Sequence, residues 1–202
     1  MVDPAARAPD APHRPPFVTV VSGLPRSGTS MMMQMLAAGG LAPLTDQQRT
    51  PDADNPHGYY EFERVKLIKT DKAWVPDAVG RVVKLVHLLL LDLPAGHEYR
   101  VVFMRRKLEE VAKSQAKMLE RSGKSGAALP EAVLLRTYQQ QLDKVLTWAR
   151  AQPHFRVLEV WYHDAVTDPA TTANLVAAFL DGAVDAGRMT RAVDSGLYRN
   201  KA

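Results

Sequence analysis

Phe17 to Ser22 is apolar at nearly every position, and Gly23 stops the run. So little alternation suits a strand buried on both faces, as in a parallel sheet covered by helices. Tyr99 to Met104 repeats the pattern, Arg81 to His87 does so around one interruption at Lys84, and Arg156 to Tyr162 reads as a fourth strand. Leu88 to Asp92 prolongs the second apolar run. Between these segments apolar residues fall at helical spacing: from about Ser30 to Gly39-Gly40, from Leu108 to Arg121, and from Glu131 to Ala151. Asp168-Pro169 is an N-cap followed by Pro at N1, and opens a helix ending at Asp181-Gly182. Gly58-Tyr59-Tyr60-Glu61-Phe62-Glu63 leads into a further helix, expected through Lys72. Alternating strands and helices predict an α/β fold with a central parallel sheet of about four to five strands.

At 202 residues, 46% of them hydrophobic, the chain can bury one good core. Residues 1–16 hold five Pro and four Ala without apolar periodicity, so they are expected to be a disordered leader, with a single domain over 17–202. The formal charge of +4 is not gathered into a basic block, which argues against a nucleic-acid track. There is no cysteine, and the six His form no close pair; no metal site is expected. No apolar run approaches the roughly 20 residues that span a bilayer, and no signal pattern opens the chain, so it reads as cytoplasmic.

The chemistry begins at Gly23-Leu24-Pro25-Arg26-Ser27-Gly28-Thr29-Ser30, between the first strand and the first helix. Successive backbone N–H groups and a helix N-terminus cradle anions, glycine permits close approach, and Ser27, Thr29 and Ser30 add hydroxyls. Gly23 and Gly28 have the spacing of a nucleotide-triphosphatase loop, but Thr29 stands where its Lys belongs. Arg26 is the loop cation. Lys84, a charge within an apolar strand, needs a partner or an anion unless it snorkels at an edge. His87 shares its face only if the strand ends or bulges between them. Arg105-Arg106 closes the third strand at the edge where doubly wound sheets bind ligands, and Ser114 lies on the flank of the next helix. Glu61 stands where an irregular, Pro-rich stretch ends, and is either a helix N-terminal charge or a site carboxylate.

Leu24 to Ser30, together with Arg106 and Ser114 eight residues later, resemble the two signatures of sulfotransferases that use 3′-phosphoadenylyl sulfate. Tyr162-His163-Asp164-Ala165-Val166-Thr167-Asp168-Pro169 is similar to a third segment of that family. Asn55 to Glu61 and Leu197-Tyr198-Arg199-Asn200 have counterparts in its compact bacterial members. The resemblance implies a three-layer, P-loop-like fold and in-line sulfuryl transfer to a hydroxyl or amine of a small-molecule, lipid or glycan acceptor. The product would be adenosine 3′,5′-bisphosphate, with no metal required. It assigns Pro25, Arg26, Ser27, Gly28, Thr29, Ser30 and Lys84 to the phosphosulfate, Arg106 and Ser114 to the 3′-phosphate, and Tyr162 and Arg199 to the remaining donor contacts. Glu61 or His87 is the base. Lys84 and His87 are one residue further apart than in members that act on small phenols. Two alternatives stay open: a small-molecule kinase or other phosphate-loop triphosphatase, with Leu88 to Asp92 as its apolar run ending in a metal-binding Asp, and a non-catalytic nucleotide-binding module.

Overall fold

The computed structural model describes residues 16–46, 60–121, 123 and 129–193. Residues 1–15 of the expected leader, the Asn55–Tyr59 stretch, most of the Ser122–Gly126 loop and Arg199 lie outside them. Within the described residues β1 (Val18–Gly23), β2 (Val82–Val86), β3 (Tyr99–Arg105) and β4 (Phe155–Trp161) form one sheet in the order β2-β1-β3-β4, and every neighbouring pair is parallel. Gly23 is opposite both Val86 and Met104, and Met104 is opposite Val160. The carboxyl ends of all four strands therefore finish level. β2 and β3 lie on opposite sides of β1, so the strand order reverses beside it and a ligand crevice opens at that edge.

Each face of the sheet carries its own core. On one face Val18, Val20, Val101 and Phe103 pack against Leu142, Val145 and Leu146 of α3 (Glu131–Ala151) and Val111 of α2 (Leu108–Arg121). On the other, Val21 and Val102 meet Met32, Met33 and Met35 of α1 (Thr29–Ala38) and Val176 of α5 (Pro169–Phe179). The methionines fill the core beneath the loop. Strand, helix and cap expectations hold closely: the Asp168 side chain accepts from the Thr171 amide at the start of α5. Among the described residues no helix is long and apolar enough to cross a membrane.

Four local expectations are corrected. In place of the helix expected through Lys72 there is a 3-10 turn over Glu63–Leu67. Only Val65 and Ile68 bury there, at the i,i+3 spacing a 3-10 turn brings onto one side, and Asp71 ends the segment by accepting from the Ala73 amide and from Arg64. The apolar run of Leu88–Asp92 is not strand; His87–Asp92 is a 3-10 segment, with His87 and Leu90 inward and Leu88 outward. Asp92 therefore does not stand at the end of a strand as the kinase reading requires. Tyr162 leaves β4 to open α4 (Tyr162–Thr167), and the chain adds α6 (Ala186–Arg191), which has only six residues and a weak apolar pattern.

Candidate active site

The loop after β1 is built from two close approaches. A Cβ at Gly23 would come within 2.5 Å of Ser27 Oγ and 2.7 Å of the Met104 carbonyl. At Gly28 it would come within 2.4 Å of Tyr162 Cδ2, and Gly28 adopts φ 100°. Arg26 is left-handed as well, with φ 72°, a conformation that turns neighbouring amides toward a common concavity. Gly28 caps α1 and, being glycine, brings no side chain to bond its free amides, and the first turn of the helix carries no acidic residue. Its positive end is thus suited to an anion. The Ser27 hydroxyl is buried with no partner among the described residues.

Three separate stretches of sequence meet at this loop. The Arg26 Nε donates to Ser114 Oγ at 3.1 Å. Arg106 Nη1 donates to the Arg26 carbonyl at 3.2 Å and its Nε to Glu110 Oε2 at 2.8 Å. The Arg106 guanidinium also lies 4.5 Å from the centroid of the Tyr162 ring, the ring that packs on Gly28. Arg106 and Glu110 are nearly buried, with side chains 8% and 3% exposed. A cleft of about 350 Å³ opens beside Arg106, walled by Lys107, Trp161, His163 and Asp164.

Arg105 separates from Arg106. Its side chain pairs with Glu159, which also binds Arg150 of α3, and covers the Trp161 ring. Strand alternation turns Arg105 toward the α3 side, whereas Arg106 has already left the strand.

A second cleft, also about 350 Å³, reaches from Pro25, Arg26, Thr29 and Ser30 to Glu61 and Lys84. Lys84 Nζ stands 3.9 Å from Glu61 Oε1, both side chains partly buried. The backbone holds Glu61 there: its carbonyl accepts from Thr45 Oγ1 at 2.7 Å and from the Asp46 amide, while Asp46 accepts from the Glu63 amide at 2.6 Å. Thr45 and Asp46 carried no signal in the sequence, because their partners lie across a long loop.

His87 is not part of this cleft wall. It is 3% exposed, and its Nε2 bonds Gln141 of α3 at 2.9 Å. Burial holds the ring below its usual protonation range, opposed by Gln141 and by the Gly23 carbonyl. Nδ1 has no partner in good hydrogen-bond geometry, although that carbonyl is close enough to favour the proton. The strand does end between Lys84 and His87, but the chain then turns His87 under the loop. Among the described residues no group of three His, Asp or Glu side chains could hold a metal ion.

A family model described as "Sulfotransferase domain" matches residues 18–200. The sulfotransferase domain of the Synechococcus PCC 7002 olefin synthase superposes with a TM-score of 0.55 at 16% identity, over 94% of this chain and 82% of that one. Retinol dehydratase in complex with androsterone and the inactive cofactor PAP superposes with a TM-score of 0.52 at 17% identity, over 88% of this chain and 63% of that one. A sugar kinase from Janibacter superposes at 0.45 and 15% identity, over 83% of this chain and 95% of that one, too distant a likeness to bear on the reading. No sequence match was found among curated proteins. The superpositions on the olefin synthase domain and on retinol dehydratase show a shared fold, and the family match over nearly the whole described chain carries the assignment: this protein belongs to the sulfotransferase family.

Proposed function

We propose that the chain moves the sulfuryl group of 3′-phosphoadenylyl sulfate to an acceptor hydroxyl, with Glu61 as the base. The observation that supports this most is the meeting of the loop, Arg106, Ser114 and Tyr162 in one cluster. A single terminal phosphate chain needs the loop alone; a donor with a second phosphate on its ribose gives Arg106 and Ser114 a purpose. The Gly28 cradle, the buried Ser27 hydroxyl and the α1 N-terminus fit the phosphosulfate end. Tyr162 and the cleft beside Arg106 suit the nucleoside.

In the transfer, the acceptor oxygen forms a bond to sulfur as the bond from sulfur to the phosphate oxygen breaks. The acceptor proton passes to the Glu61 carboxylate. The electron pair leaves with the phosphate, where the loop amides, Lys84 and Arg26 stabilise the developing charge, a contribution of about 3–4 kcal/mol for one well-placed donor. Glu61 is favoured over His87 because it shares a cleft with Lys84 and the loop, whereas His87 is buried against Gln141. His87 then packs beneath the loop, bonded to Gln141 of α3. Incubation with the labelled donor and a panel of alcohols tests the activity: stoichiometric sulfated alcohol and adenosine 3′,5′-bisphosphate are expected, and donor hydrolysis without any sulfated alcohol would overturn the reading.

A further inference from the structure

The cleft that holds Glu61 and Lys84 changes character with distance from them. Next to the phosphate loop it is polar; away from it the described wall is Phe62, Val65, Leu85, Val86, Leu89 and Met118. The apolar wall reaches solvent at Val86, which is 45% exposed. One uncharged polar side chain, Gln115, interrupts that wall one turn before Met118 on α2. Its Oε1 is buried with no partner among the described residues. A buried carbonyl oxygen left without a donor is unfavourable, and its natural remedy here is a donor brought by the ligand. Lys66, the cation at the rim, is engaged by Glu63 at 2.7 Å, and the Glu61 carboxylate disfavours an anionic acceptor.

We infer that the acceptor is a neutral alcohol on an apolar body that carries one further hydrogen-bond donor, received by Gln115. A sugar, with hydroxyls around its whole perimeter, would bury several of them against this apolar wall without partners. Gln115 is in this account a specificity-determining residue. The inference rests on the sulfotransferase reading, because that reading makes the cleft an acceptor site.

Three probes test it by calorimetry, titrated into the protein alone and into the protein saturated with adenosine 3′,5′-bisphosphate: a naphthol, the matching naphthalenediol and methyl glucoside. The diol is expected to bind at least tenfold more tightly than the naphthol, and the glucoside weakest of the three. Gln115→Leu should erase the preference for the diol while keeping the naphthol affinity, with Gln115→Asn restoring part of it. Bisphosphate affinity measured in the same samples shows that the variant is folded. Equal affinities for naphthol and diol, a preference that survives in Gln115→Leu, or tighter binding of the glucoside would each overturn the inference. Failure of the bisphosphate to bind would count against the sulfotransferase reading, and the probes titrated into the protein alone would still report on the cleft.

Discussion

The Arg106 guanidinium stacks 4.5 Å from the centre of the Tyr162 ring, and that ring fills the space a side chain at residue 28 would need. The loop after β1, the end of β3 and the end of β4 are thereby locked to one another through two residues. Arg106→Ala removes a charge-assisted partner of about 1.5–3 kcal/mol. It should weaken adenosine 3′,5′-bisphosphate binding about tenfold or more, with a much smaller loss for adenosine 5′-phosphate, as read by calorimetry. Equal losses would remove the 3′-phosphate from Arg106.

Gly28→Ala meets two obstacles at once, a backbone at φ 100° and the Tyr162 ring 2.4 Å from the new methyl carbon. Destabilisation of about 1–3 kcal/mol is expected in urea unfolding, with donor-site affinity lost as well. Adding Tyr162→Ala should relieve the clash but not the backbone strain, so recovery should be partial. A Gly28→Ala protein as stable as the parent would contradict the packing of Tyr162 on the loop.

His87 makes stability depend on pH. Its folded pKa is lowered, chiefly by burial, so below the ordinary value of about 6.5 the unfolded chain binds a proton that the folded chain resists. The stabilisation is complete above that value and is lost as pH falls through the folded pKa. Urea midpoints measured from pH 7.5 downward should decline on the acid side, and His87→Gln should flatten that part of the decline. An unchanged acid slope in the variant would show that His87 is not held neutral.

The base assignment separates Glu61 from His87 in the pH profile of turnover. Glu61→Gln should lower kcat by about 10²–10⁴ and remove the acid limb. His87→Gln should leave that limb in place, because His87 lies outside the cleft wall, buried against Gln141. The opposite pattern would return the base to His87.

The loop was legible in the sequence because its chemistry is local: glycines at fixed spacing, hydroxyls and a cation at the end of an apolar run; Arg106 and Ser114 were joined only by their resemblance to a family signature. The strands were legible because burial on both faces leaves unbroken apolar stretches. What could not be read was contact across the chain. Arg26 reaches Ser114, His87 reaches Gln141, and Thr45 fixes Glu61, pairings that no periodicity encodes. The apolar pattern did not separate Arg105 from Arg106, which only the family resemblance singled out; the end of β3 assigns them to different sides. The 3-10 segments over Glu63–Leu67 and His87–Asp92 escaped the sequence reading for one reason: short apolar runs are compatible with strand, helix or turn, and the number of residues that can bury decides among them.

The central claim, that the loop and Arg106 together hold a nucleotide phosphorylated at both ends of its ribose, is tested most directly by calorimetric titration of adenosine 3′,5′-bisphosphate against ATP with Mg²⁺. The bisphosphate should bind stoichiometrically without added metal and at least tenfold more tightly than ATP. Tight binding of ATP with no response to the bisphosphate would contradict the account.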